Sequence, residues 1–331
     1  MHRWLIGGEK VIEEIESLPD TITDEQLRAL SNGDWTAEQL ACTPQGQVRL
    51  MPGERSVFEF NASTASALKK ARAAVWNALP PAAKRERVRQ TIGARPPDRS
   101  RIPQVETVGT VARDNCTILK LVLAGETGIR LPALAFVPTR PTGSATLYLH
   151  GASMTEDASP GGPIDALVRQ GHLVLAAELR GIGETETGRG RSEFGRGRFG
   201  PDNLEIFTAY LMGVNFVGLR VEDIQAWTRV LRESRLAGAS PADMHLVAIG
   251  EAAIPALHAV ALAGDEFCTV TLRRMVRSWE DVVRAPENYN QTVNVVHGVL
   301  RHYDLPELAE LAGQSRLRIA ESVDASGNRS E

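Results

Sequence analysis

The chain shows short apolar runs separated by segments of helical periodicity. After residue 104, VETVGTVARDNCTILKLVLAG and IRLPALAFVP indicate antiparallel strands with glycine turns. Five further runs follow: ATLYLHG, HLVLAAELRG, MHLVAIG, EFCTVTLRRMV and SRLRIAESVD. Segments such as PIDALVRQG and AAIPALHAVALAG, which lie between these runs, are typical of helices. This alternation predicts an α/β fold with a mostly parallel sheet and helices on both faces.

The N-terminal third has a different pattern. Residues 1–50 are polar and helical in pattern, and residues 45–60 alternate apolar and polar, which predicts a short hairpin. A helix is predicted over 63–92 with an interruption at two prolines. We therefore expect a mainly helical N-terminal extension or connector over residues 1–100 and an α/β domain over residues 101–331.

Composition excludes several classes of protein. The 331 residues include 37 Lys+Arg and 41 Asp+Glu, so no strong basic field attracts nucleic acid. No run of about 18 apolar residues is present to span a membrane. Three distant cysteines form no CxxC pair, and acidic residues stand where a signal peptide needs its apolar run. A reduced, cytoplasmic setting is the expectation.

The segments that follow the apolar runs carry the candidate chemistry, because open parallel sheets bind ligands at the carboxyl ends of their strands. These segments are His150-Gly151-Ala152-Ser153, Glu178 to Thr185, Gly250-Glu251-Ala252-Ala253, and Asp324 to Gly327.

In this order, the segments resemble those of the α/β-hydrolases, and more narrowly of the acetylxylan-esterase-like bacterial hydrolases. The resemblance covers about 104–327. It rests on LYLHG, on LVLAAELRGIGET, on the helix containing GLRVEDIQAW, and on HYDLPELAEL followed by RLRIAESVDASG. It implies carboxylic-ester hydrolysis, in which a serine on a tight strand-to-helix elbow attacks the ester, a histidine takes its proton and an acid orients the histidine.

Two members of that triad are missing from their expected places. The resemblance puts the nucleophile at Ala252, which has no hydroxyl group, within the degenerate elbow Gly250-Glu251-Ala252-Ala253. Asp324 matches the position of the acid, but no histidine follows it, and the final strand and helix are absent. We therefore expect a clipped C-terminal end and an impaired or non-catalytic site.

Other residues have alternative interpretations. The resemblance assigns His150, Gly151 and Ala152 to the loop that builds the oxyanion hole. Ser153 is either a substitute nucleophile or a residue that hydrogen-bonds its own loop or caps a helix. His302 is either a displaced base or a packing residue, and Glu251 is either functional or a cap.

No metal or cofactor is expected. The seven histidines include no HxH or HExxH pair, and the GxG at Gly181 to Gly183 lacks a third glycine for a nucleotide. Residues 180–200, with five Arg and seven Gly, could form an RNA-binding segment, an active-site loop or a contact for an acidic sugar. The loop is favoured, and nucleic acid is not an expected partner.

Two hypotheses for function therefore remain, besides RNA binding. In the first, the chain is an impaired esterase. In the second, it is a non-catalytic module that works with a catalytic partner module and either binds a small-molecule or carbohydrate ester or acts as a scaffold. Some related hydrolases carry two modules in tandem, so the chain is either a second module or a free-standing protein with a helical cap. A second subunit, forming a homo-oligomer, could also cover its N-terminal helices.

Overall fold

A computed structural model shows the fold of the chain. It describes residues 25, 43–97, 103–124, 128–186, 203–233 and 236–329. The chain divides into two compact units, residues 1–56 and 57–331. In the first unit, the described part contains one 3-10 turn, Val48–Leu50. Most of the predicted polar helices at 1–50 and of the Arg/Gly-rich stretch lie outside the described residues.

The second unit is built on an eight-stranded sheet. Its order is β1-β2-β3-β5-β4-β6-β7-β8. The first three strands and β5 pair antiparallel, while β5, β4, β6, β7 and β8 run parallel. The strands are β1 (Val105–Arg113), β2 (Cys116–Ala124), β3 (Arg130–Pro138), β4 (Ser144–His150), β5 (Leu173–Ala177), β6 (Asp243–Ile249), β7 (Thr269–Arg273) and β8 (Leu317–Ala320). The predicted mostly parallel α/β sheet is confirmed.

Helices connect and cover these strands. They are α1 (Val57–Ala78), α2 (Pro81–Ile92), α3 (Pro163–Arg169), α4 (Asn203–Leu211), α5 (Phe216–Glu233), α6 (Ala253–Ala263), α7 (Trp279–Arg284) and α8 (Leu305–Ala312). Within the described part of the chain, none of them is both long and apolar enough to cross a lipid bilayer.

Side-chain alternation along the strands divides the core into two layers. In β4, Leu147 and Leu149 belong to the larger core cluster, which includes residues of α1, α2, α5, α6 and α8. Tyr148 faces the other side, where Ile164 and Val168 of α3 complete a smaller cluster. Helices therefore cover both faces of the sheet, as the alternation of runs and helical segments predicts. Residues of α1 and α2 belong to the larger core cluster together with residues of the sheet. The predicted boundary at 100/101 stays a prediction.

The hairpin expected over residues 45–60 is wrong. The chain turns at Val48–Leu50 and then enters α1 at Val57, earlier than the predicted start at residue 63. Val57, Phe58 and Phe60 are exposed. Because these apolar side chains are exposed, the alternation at 45–60 did not reflect a half-buried strand.

The helical pattern of residues 204–236 predicts one long helix, but two helices, α4 and α5, occupy this region. Gly213 takes a left-handed conformation (φ +72°) between them. The side-chain oxygen of Asn215 then accepts a hydrogen bond from the Val217 N–H at 2.9 Å. Asn215 thus starts a new helix, as asparagine does at N-caps.

Helices α2 and α5 approach closely at Gly218. A Cβ atom added to Gly218 would lie 2.0 Å from the carbonyl oxygen of Ile92, which is backbone and not a flexible side chain. The absence of a side chain at this position therefore sets the spacing between the two helices.

We expect Gly218→Ala to destabilise the protein by about 1–3 kcal/mol, because overpacking forces the backbone to shift. Helix propensity alone predicts the opposite sign, a gain of roughly 0.5–1 kcal/mol. Urea unfolding measures the difference directly. A Gly218→Ala protein as stable as the wild type, or more stable, would contradict this close contact.

The core also encloses a histidine. His258 of α6 is fully buried. Its Nδ1–H donates to the Ile254 carbonyl at 2.7 Å, and its Nε2 accepts from the Tyr303 hydroxyl at 3.1 Å. Burial lowers the pKa of His258 to about 4. This histidine is therefore a packing residue.

The free energy of unfolding should decrease as the pH falls from about 7 towards 4, because His258 binds a proton more readily in the unfolded chain. In the unfolded chain His258 has its ordinary pKa of 6.5, whereas in the folded chain its pKa is about 4. Between about pH 7 and pH 5 this difference costs about 2 kcal/mol. Urea unfolding should show a flatter pH dependence for His258→Gln than for wild type. The exposed His297→Gln serves as control, and equal slopes in all three proteins would refute this assignment.

Candidate active site

The carboxyl ends of the parallel strands meet at one edge of the sheet. The register places His150 of β4 beside Ile249 of β6, and Ile249 beside Arg273 of β7. From β4 the chain moves to β5 on one side, and then crosses to β6 on the other. This reversal around β4 creates the crevice where open α/β sheets bind ligands.

The loop after β4 packs directly on the elbow after β6. The Gly151 N–H donates to the Ile249 carbonyl at 3.0 Å. A Cβ atom at Gly151 would lie 2.6 Å from the backbone nitrogen of Glu251, so only glycine permits this approach. Gly250 makes the turn itself with φ +63°. Gly151 and Gly250 thus bring the two predicted segments together.

Within the elbow, Glu251 and Ala252 have different surroundings. Ala252 is fully buried and has an ordinary right-handed backbone (φ −76°). Ala253 is also fully buried. Glu251 is the elbow residue that lies against Gly151, and 12% of its side chain is exposed. Of these three residues, only Glu251 leaves part of its side chain exposed, and that side chain is a carboxylate.

That carboxylate forms an ion pair with an arginine in the interior. Arg220 of α5 is fully buried, and its Nη1 lies 2.5 Å from Oε1 of Glu251. Its Nε donates to the Arg180 carbonyl at 3.0 Å, and its guanidinium carbon lies 4.7 Å from the centre of the Phe216 ring. A buried cation requires such compensation, because leaving water is costly for a charge.

A second ion pair extends this network. Asp223 accepts hydrogen bonds from the backbone N–H of Arg180 at 3.0 Å and from its guanidinium Nε at 2.9 Å. Arg220 and Asp223 are three residues apart, so they lie on the same face of α5. This one helix face therefore holds both the segment after β5 and the segment after β6. All four residues lie in segments quoted from the sequence, but no sequence pattern pairs Arg220 with Glu251 or Arg180 with Asp223.

Glu178 joins the loops after β4 and β5. Its carboxylate accepts hydrogen bonds from the Met154 N–H at 3.2 Å and the Glu184 N–H at 2.7 Å, and the residue is 1% exposed. Burial raises the pKa of Glu178 above its ordinary value. A side chain at Gly183 would collide with the Glu178 carboxylate, which explains a glycine there.

The residues of the predicted oxyanion loop organise that loop. The Ala152 N–H donates to Nδ1 of His150 at 3.0 Å. Burial lowers the pKa of His150. The Ser153 hydroxyl lies 2.6 Å from the Thr155 hydroxyl and accepts from the Thr155 N–H at 2.9 Å. Among the described residues, no histidine forms a hydrogen bond with Ser153.

Asp324 lies in a turn after β8. It is exposed, and its Oδ1 accepts from the backbone N–H groups of Ser326 and Asn328, both at 2.9 Å. It also lines a cavity of about 280 Å³ together with Arg277 and Asp281. His302 instead contacts Arg87 of α2. No contact in the described part of the chain joins Ser153, Asp324 and a histidine into a triad.

The structure was compared with known proteins. No family model and no curated protein sequence matches the chain. Among solved structures, it is similar to a provisionally assigned acetyl xylan esterase from Bacteroides fragilis, with 11% identity, a TM-score of 0.58, and coverage of 73% of this chain and 67% of that one. The chain has an α/β-hydrolase fold. Identity this low shows the fold alone.

Two further solved structures in this fold are named acetyl xylan esterases. The one from Thermoanaerobacterium sp. JW/SL YS485 is 17% identical with a TM-score of 0.43, covering 69% of this chain and 71% of that one. The one from Paenibacillus sp. R4 is 15% identical with a TM-score of 0.42, covering 84% of this chain and 83% of that one.

In the described part of this chain, no group of three His, Cys, Asp or Glu side chains could hold a metal ion.

The ion pair at the elbow predicts a strong coupling between its members. Arg220→Met should destabilise the α/β-hydrolase fold by about 3–5 kcal/mol, since it leaves a partly buried carboxylate unpaired. Adding Glu251→Met should restore part of that loss, because the double variant leaves neither charge unpaired. Urea unfolding of both single variants and the double variant completes the thermodynamic cycle. Additive losses would show that the two side chains do not interact.

Proposed function

We propose that this chain is a non-catalytic relative of the carboxylic-ester hydrolases, which binds a small-molecule or carbohydrate ester and works beside a catalytic module. The observation that carries the proposal is the elbow after β6. There a fully buried alanine stands at the position that resemblance gives to the nucleophile, and its neighbour Glu251 forms an ion pair with the buried Arg220.

The chemistry of the elbow supports the absence of hydrolysis. A serine nucleophile acts only when a base within hydrogen-bond reach takes its proton. Ala252 offers no hydroxyl group, and Glu251 is neutralised by Arg220. Ser153 has a hydroxyl group, but its described partner is Thr155, which cannot act as a base.

The crevice itself supports ligand binding. Gly151 and Ala152 lie at the carboxyl end of β4, and Ala152 is exposed there. The tails of β5 and β6 are held in place by Arg220 and Asp223, so the crevice does not depend on a bound ligand for its shape. The acetyl xylan esterases that share the fold favour an acetylated carbohydrate as the ligand class to try first.

A fluorophosphonate probe tests the loss of catalysis, because it reacts with activated serines. Intact-mass measurement should find no adduct on the folded chain beyond that on a heat-denatured control. Ala252→Ser should remain unreactive and hydrolyse no p-nitrophenyl acetate, since the new hydroxyl would be buried without a base. Ala253→Ser, also fully buried, is the matched control.

A stoichiometric adduct on the folded wild-type chain alone would overturn the proposal. Ser153→Ala would then show whether Ser153 is the nucleophile. Appreciable turnover by Ala252→Ser would show that a base is already in place. Titration with acetylated and deacetylated xylo-oligosaccharides tests the binding part, and saturation by the acetylated form alone is the expected result.

A further inference from the structure

A second cavity lies away from the strand ends, between α1, α2 and the segment that follows the 3-10 turn Val299–Arg301. Its volume is about 240 Å³. One part of its wall is apolar and comes from α1, and the other part carries basic groups. The lining residues used below are Leu68, Val75, Trp76, Leu79, Arg87, Arg301 and His302.

The basic groups come from two separate elements. Nη1 of Arg87, on α2, lies 3.4 Å from Nδ1 of His302. Arg301 is the preceding residue and also lines the cavity. Nζ of Lys84, one turn before Arg87 on α2, lies 5.3 Å from the centre of the Trp76 ring. Arg87, Arg301 and an imidazole therefore line the cavity beside its apolar wall, and Lys84 lies near one residue of that wall.

The nearby carboxylates are already engaged. Arg72, a buried residue of α1 that also lines the cavity, lies 2.9 Å from Oε1 of Glu307 and 3.7 Å from Oδ2 of Asp304. Within the residues that the structure describes, no carboxylate forms an ion pair with Lys84, Arg87 or Arg301. Positive charge therefore accumulates here, although the whole chain has a net charge of −4.

Hydrogen bonding gives His302 a defined role. Since an arginine can only donate, Nδ1 of His302 must accept from Arg87, which leaves the proton of the neutral ring on Nε2. Burial and the charges of Arg87 and Arg301 lower the pKa of His302, so the ring is neutral at neutral pH. The rim of the cavity therefore presents N–H donors from both arginines and from the imidazole.

We propose that this cavity binds a small organic anion, a carboxylate attached to a compact apolar body. Arg87 and Arg301 hold the carboxylate, because guanidinium groups suit its two oxygens. Leu68, Val75 and Leu79 contact the apolar body beside Trp76. A cavity of about 240 Å³ is smaller than the usual pocket for a drug-sized ligand, which argues for a compact molecule.

This proposal is independent of the proposed function, because it uses none of the residues at the strand ends. An active esterase and a non-catalytic module would both keep the cavity. Conversely, failure to bind an organic anion here would leave the assignment of the elbow unaffected.

Calorimetric titration with 1-naphthoate and with 1-naphthalenemethanol tests the proposal on the wild-type chain. The two probes share a ring system, and only the first is an anion. We expect naphthoate to saturate one site and to bind at least about tenfold more tightly than the alcohol, which is the size of effect that one charge-assisted hydrogen bond gives.

Variants then locate the site. Arg87→Ala combined with Arg301→Ala should weaken naphthoate binding by at least about tenfold. Arg318→Ala, an exposed arginine on β8, is the matched control and should bind like wild type. Thermal melting checks that each variant folds. If the double variant does not fold, Arg301→Ala alone, which changes an exposed side chain, decides the location.

Three results would overturn the proposal. The first is absence of saturable naphthoate binding to the wild-type chain. The second is equal affinity for the acid and the alcohol, which would mean that the cationic rim recognises nothing. The third is wild-type affinity in the folded Arg87→Ala/Arg301→Ala variant, or in Arg301→Ala if only that variant folds, which would place the ligand elsewhere.

Discussion

A fully buried guanidinium, that of Arg220, constrains the whole carboxyl edge of the sheet. Removing this charge from water costs several kcal/mol, so its partners must be held in fixed positions. Those partners are the Glu251 carboxylate, the Arg180 carbonyl and the Phe216 ring. They belong to the segment after β6, the segment after β5, and α5. The requirement to compensate one charge therefore fixes three elements relative to one another.

The same constraint limits the chemistry of the crevice. A hydrolase elbow presents a hydroxyl group to the substrate and keeps a base beside it. Here Ala252 has no hydroxyl group, and the neighbouring Glu251 carboxylate forms an ion pair with Arg220.

The sheet could be predicted from sequence because its cause is local. A strand buried on both faces reads as a short apolar run, and β4 does so because Leu147 faces one core and Tyr148 the other. The apolar residues of the alternating stretch at 45–60 are exposed, so that alternation did not mark a strand. The Arg220–Glu251 and Arg180–Asp223 pairs span 31 and 43 residues. No periodicity records such pairings, so the candidate residues were visible but their contacts were not.

The distribution of charge then separates the two proposed sites. At the strand ends, Arg180, Arg220 and Arg273 are each paired with a carboxylate. Around the α1–α2 cavity the cations Arg87 and Arg301 have no such partner among the described residues, and an apolar wall faces them. Like charges brought together beside apolar surface lose hydration and repel one another, so an anion relieves both costs. The two proposed sites therefore differ in how their cations are compensated.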